Sequence, residues 1–206
     1  MNSSPAGPST PRPPRRRVHT RARLLSAAGE LFLSVGYART SIEDICTAAG
    51  YTRGAFYSNF ATKEDLLLAL FDEQAAKRMS ELEHLTAAAE ALGPEERARR
   101  LVEALLRVEA AEAGWMLLFL EFRLLAARTS ELADRVAAHD RTVTAAVATL
   151  LDRVLPELVP PGVSAEQAAQ VVLAAREGLL ARTTAGGPAA EELLNAATAV
   201  LAGLLG

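Results

Sequence analysis

Apolar positions recur along this chain at three- and four-residue intervals, and no stretch alternates as a strand would. Leu24, Ala28, Leu31 and Val35 form one stripe, widened by Leu25 and Phe32 and stopped by Gly36, which predicts a helix from about His19 to Val35. Lys63-Glu64-Asp65 opens a long helix to about Ala91, with Leu67, Phe71, Gln74, Arg78 and Leu82 on one line. Gly93-Pro94-Glu95-Glu96 ends it and starts the next, which continues to about Ala113. Gly114 then admits a turn, and Trp115 to Ala127 reads as an almost wholly apolar helix. A further helix spans about Ser130 to Leu155 and stops at Pro156. Ser164 with Gln167 is a capping box, and the last two helices fall at about 165–184 and 189–205, parted by Gly186-Gly187-Pro188.

Residues 40–63, TSIEDICTAAGYTRGAFYSNFATK, hold two short helices and the start of a third. Thr40 with Glu43, and Thr62 with Asp65, read as capping boxes, while Gly50 breaks the first short helix and Thr52 caps the second. Ile42, Ile45 and Ala49 share one face; Phe56 and Phe60, four apart, point inward. Arg53, Gly54, Tyr57 and Ser58 are left on the outer face. A short helix, a glycine turn and a second helix with a basic, aromatic outer face form the helix-turn-helix pattern of a DNA reader. The fold class is therefore all-α: a three-helix N-terminal domain with a helix-turn-helix, then six helices. The expected domains are an arm at 1–17, the reader at 18–64 and the body at 65–206.

Charge changes the picture. The formal net charge is −3, yet residues 12–63 carry nine Lys/Arg against three Asp/Glu, so the remainder is strongly acidic. A basic head on an acidic body directs only the head at a polyanion. The Pro- and Arg-rich segment 1–17 has Met1 as its one large apolar side chain and cannot build a core; it is either a solubilising tail or a basic arm on DNA. One cysteine, Cys46, excludes an intramolecular disulfide framework and suits the cytoplasm, the expected location. No apolar run reaches the length of a membrane span.

Arg21 to Leu70 resembles the DNA-binding domain of the tetracycline-repressor (TetR) family of transcriptional regulators. The phrases that carry the resemblance are Ala27-Ala28-Gly29-Glu30-Leu31-Phe32, Gly36-Tyr37, Thr40-Ser41-Ile42-Glu43-Asp44-Ile45, Ala48-Ala49-Gly50, Arg53-Gly54-Ala55-Phe56-Tyr57, Phe60 and Lys63-Glu64. The body resembles the family only in the number and order of its helices. The resemblance implies a homodimeric repressor that binds double-stranded DNA at a palindromic operator and answers to a small molecule. It places phosphate contacts at Thr40 and Ser41, where the amides of a helix N-terminus face outward, and at Tyr57 and Lys63. Arg53 is the base reader, since its guanidinium can pair with guanine. Gly54 permits close approach, Ser58 shares the outer face, and Thr52 either only caps or also touches DNA. Tyr51 and Ser58-Asn59 depart from the common family form and bear on the operator sequence.

In the body, Trp115, Phe119 and Phe122 share a helix face, serving either as core or, with Phe71, as the wall of a pocket for an apolar or amphipathic ligand. Glu121 and Arg123 pair with other body charges or orient that ligand. Val172 and Leu179, with Leu193, Ala197, Val200 and Leu204, form stripes suited to a four-helix dimer interface. Cys46 reads as a core thiol. His19, His84 and His139 are too scattered for a metal site, no catalytic constellation or cofactor motif appears, and a non-enzyme is expected. A body that binds a protein partner instead of a small molecule is the alternative reading.

Overall fold

The helices follow from where the chain can satisfy its backbone and bury its stripes. The computed structural model describes residues 15–184, apart from residue 90 and short stretches at 108–109, 155–158 and 160–161, together with residues 192, 195 and 196. It contains α1 (Arg15–Val35), α2 (Ile42–Ala49), α3 (Arg53–Tyr57), α4 (Lys63–Ala88), α5 (Pro94–Leu106), α6 (Ala110–Ala126), α7 (Ser130–Val154) and α8 (Ala165–Thr184). No strand occurs among the described residues, and none of their helices is long and apolar enough to cross a membrane. Of the helix expected at 189–205 only residues 192, 195 and 196 are described, all helical; the rest lies outside the described residues, as do residues 1–14.

Three boundaries differ from the sequence reading. The helix expected from His19 begins at Arg15, because arginine is a good helix former and nothing after Pro14 interrupts the turn. Ser41, not Thr40, is the N-cap of α2: its hydroxyl accepts from the Asp44 amide at 3.1 Å and its own amide donates to Asp44 Oδ2 at 2.9 Å. The box is thus Ser41 and Asp44 in place of Thr40 and Glu43. The expected turn at Gly114 is absent; α5 ends at Arg107, whose ψ of 127° is extended, and α6 runs straight through Gly114. The capping boxes at Thr62/Asp65 and Ser164/Gln167 form as read.

Contacts divide the chain into two compact units, one ending at Leu67 and one beginning at Leu68; the boundary read from the sequence is 64/65. In the first unit α1 packs on α2 and α2 on α3 around Leu24, Leu25, Ala28, Phe32, Ile45, Phe56 and Leu66. A helix of five residues is not stable alone. α3 is held because Phe56 is completely buried, worth about 1.5–3 kcal/mol. Gly50 makes the turn into α3 at φ 74°, a left-handed conformation open to glycine, with its amide donating to the carbonyls of Cys46 and Thr47. In the second unit α7 and α8 pack on each other, α5 on α8, and α6 on both α7 and α8. Leu101, Leu105, Leu106, Val147, Leu150, Leu151 and Ala169 form its core, with Leu82 of α4.

Candidate functional site

The first unit presents its reader on α3. Thr52 caps it by accepting from the Ala55 amide at 3.3 Å, and Ser58 closes its other end. Thr52, Arg53, Gly54, Tyr57 and Ser58 are all exposed, whereas Phe56 and Phe60 are buried. Arg53 lies along Tyr57, with its Nη2 3.4 Å from the phenol oxygen. Gly54 is informative. A Cβ there would meet nothing closer than Thr52 Oγ1 at 3.7 Å, so nothing within the unit requires glycine.

The start of α1 braces this reader, as expected of the first helix, through contacts that the sequence reading did not name. Arg17 donates to the Ser58 carbonyl at 2.9 Å, His19 Nδ1 lies 3.4 Å from the Tyr51 hydroxyl, and Arg21 lies over the Phe60 ring at 5.0 Å. Tyr51 and Ser58, two of the positions that depart from the family form, thus have partners on α1.

Two proposed phosphate contacts are committed internally. Thr40 is 2% exposed and its hydroxyl donates to the Gly36 carbonyl at 2.8 Å, so its side chain does not reach the surface. Lys63 is not a free point charge: its ammonium donates to the carbonyls of Tyr37 at 3.0 Å and Thr40 at 2.8 Å and sits 4.1 Å from the Tyr37 ring. Burial pulls its pKa below the ordinary lysine value, against the charge of Glu64. Burial pushes the Glu64 carboxyl up, but hydrogen bonds from Tyr37, its own amide and Thr62, with Lys63 beside it, bring it below the usual range. Ser41 is exposed, yet its hydroxyl and amide serve Asp44. Cys46 is buried, and burial raises its thiol pKa against the nearby charge of Arg53, as expected of an inert core cysteine.

The second unit holds a half-open cavity of about 430 Å³. Phe71, Trp115 and Phe119 line it, as read from the sequence. Phe122 does not; it is 1% exposed and packs against Phe71 as core. The polar wall was not foreseen, beyond Arg123. Arg123 lies 2.7 Å from Asp140, 3.3 Å from Glu177 and over the Phe119 ring at 4.9 Å. Burial raises the Glu177 pKa, opposed by Arg123, and Asp140 raises it further. His139 meets Phe119 and holds Asp72 of α4. The available signal was the α7 stripe: Leu132, Val136, Val147 and Leu150 are buried, and His139, Asp140 and Thr144 interrupt that apolar line.

On α8, Val172 and Leu179 face the protomer's own core, a correction to their reading as dimer contacts. Val171 and Gly178 are among the exposed positions of α8. Leu193, Ala197, Val200 and Leu204 lie outside the described residues.

Comparison with known proteins follows this division. Residues 24–70 match the family model described as bacterial regulatory proteins, tetR family, and residues 94–206 match that of the BetI-type transcriptional repressor, C-terminal. The transcriptional regulator TtgR of Pseudomonas putida is 47% identical over 53 residues, 26% of this chain and 25% of that protein. The A-factor receptor protein of Streptomyces griseus is 39% identical over 61 residues, 30% of this chain and 22% of the receptor. The chain thus spans about a quarter of the length of such relatives. Salmonella enterica GusR shares the fold, with a TM-score of 0.68 at 23% identity over 90% of this chain and 95% of GusR. With an N-terminal reader and a larger C-terminal unit that both match, the chain belongs to the TetR family of bacterial transcriptional regulators, and its body is of the BetI repressor type.

Proposed function

We propose that this protein represses transcription as a homodimer on a palindromic duplex site and leaves it when a small amphipathic molecule enters the cavity of the second unit. The observation that carries the DNA reading is the outward face of α3, where Arg53 and Tyr57 flank a glycine that the unit itself does not need. Two such helices related by a two-fold axis match a palindrome with half-sites about one helical turn apart. Arg53 is the base reader and Tyr57 a phosphate anchor. Lys63 acts from beneath, by fixing the loop before α2.

The cavity supports a small molecule over a protein as effector. Its volume falls within the usual range of about 300–1,000 Å³ for small-molecule sites, and it combines ring walls with a few fixed polar groups. Occupancy changes DNA affinity only if the ligand prefers one arrangement of the protein over another. α4 carries both Lys63 of the first unit and Phe71 of the cavity wall, so a ligand that shifts α4 acts on both. A hundredfold release needs about 2.7 kcal/mol of coupling, within the ordinary range.

Selection of bound duplexes from a random pool, followed by titration, tests the reading. The selected site should be palindromic, and Arg53→Ala should cost about 1–3 kcal/mol and relax base preference within each half-site. Binding by the intact protein without sequence preference would refute it.

A further inference from the structure

The cavity wall contains a cluster that distinguishes ligands. Phe71 and Phe119 meet edge to face at 4.7 Å, His139 meets Phe119 at 5.2 Å, and Trp115 lines the same space. Aromatic walls of this kind favour a planar ring. Two of the charged groups beside them have partners: Arg123 is held by Asp140 and Glu177, and Arg78 donates to the carbonyls of Ala104 and Arg107.

His139 is engaged at one nitrogen only. Its side chain is 8% exposed, and Nδ1 lies 2.7 Å from Asp72 Oδ1. A carboxylate oxygen only accepts, so Nδ1 carries the proton and Nε2 of the neutral ring is an acceptor. Among the described residues none hydrogen-bonds to Nε2. Asp72 therefore fixes the tautomer from outside, as carboxylates do for histidines whose other nitrogen binds a ligand.

Within the ligand-release reading above, on which this rests, we infer that the cavity takes a planar ring compound bearing a hydroxyl. His139 Nε2 accepts that hydroxyl's hydrogen bond, and Asp72 is the positioning residue that keeps Nε2 an acceptor.

The chain has a single tryptophan, Trp115, and it lines this cavity, so quenching of its fluorescence reports occupancy here. At about pH 8 the full-length protein should bind 2-naphthol about tenfold more tightly than 2-methoxynaphthalene, which keeps the rings but cannot donate. His139→Phe and Asp72→Ala should each shrink that preference to about twofold or less. Asp72 is 65% exposed at its side chain, so its truncation leaves the packing intact. His139→Gln, whose amide oxygen can accept, should restore part of the preference.

Equal wild-type affinities for the two compounds, or a preference that survives both substitutions, would overturn the inference. In each of those cases ligand binding itself stands. Failure of both compounds to quench Trp115 would remove the cavity's role as a ligand site along with the inference.

Discussion

At Gly54 stability and function separate. Glycine is the poorest helix former after proline, and the added methyl of alanine would have open space. Gly54→Ala should therefore raise stability, by up to about 1 kcal/mol, in chemical denaturation. Operator affinity should nevertheless fall, because the methyl stands on the outer face proposed to meet DNA. A variant that is both more stable and undiminished in DNA titration would show that Gly54 does not face the duplex. Lys63 shows the converse. A cation beside a helix-turn-helix suggests a phosphate contact, but two backbone carbonyls and the Tyr37 ring already receive its ammonium. Which partner a flexible four-carbon side chain chooses depends on residues more than twenty positions away.

At the scale of elements, α5 carries its own electrostatic support. Glu96 accepts from Arg99 Nη2 at 2.9 Å and from Arg100 Nε at 2.7 Å, and those hydrogen bonds hold its carboxyl at about 2, below the ordinary 4.5. A depressed carboxyl contributes stability above its unfolded pKa and loses that contribution as pH falls through the folded value. Wild type and Glu96→Gln should thus differ most above about pH 4.5 and converge near pH 2. Acid titrations followed by circular dichroism check this, and added salt should narrow the gap because the pairs are exposed. An undiminished difference at pH 2 would mean that Glu96 acts by something other than its charge. The caps at Thr62 and Ser164 were legible because a capping box is a four-residue interaction. The shift from Thr40 to Ser41 was not, since adjacent residues both had an acid three positions on, and burial of Thr40 against Gly36 decided between them.

For the whole molecule, the proposed two-fold assembly is what turns one reader into a palindrome reader. The face of α8 left over from the protomer core includes Val171, 56% exposed, and Gly178, where a Cβ would meet nothing within 4 Å. Gly178→Arg is compatible with the helix and should yield monomers in sedimentation, with about a hundredfold weaker binding to the full site. A variant that stays dimeric would place the interface elsewhere. The sequence by itself determined the all-α class, most helix limits, the helix-turn-helix and its outward residues, because these rest on periodicity, caps and glycine placed within a few residues of one another. It also marked Phe71, Trp115 and Phe119, since ring spacing on a helix is local. Only the tertiary structure decided that Phe122 is core, that Val172 and Leu179 turn inward, and that Asp72, Arg123, His139, Asp140 and Glu177 come together. Those outcomes depend on which of several amphipathic faces each helix buries, and on charges from different helices finding partners across the cavity. Spacing along one helix carries no record of the helix opposite.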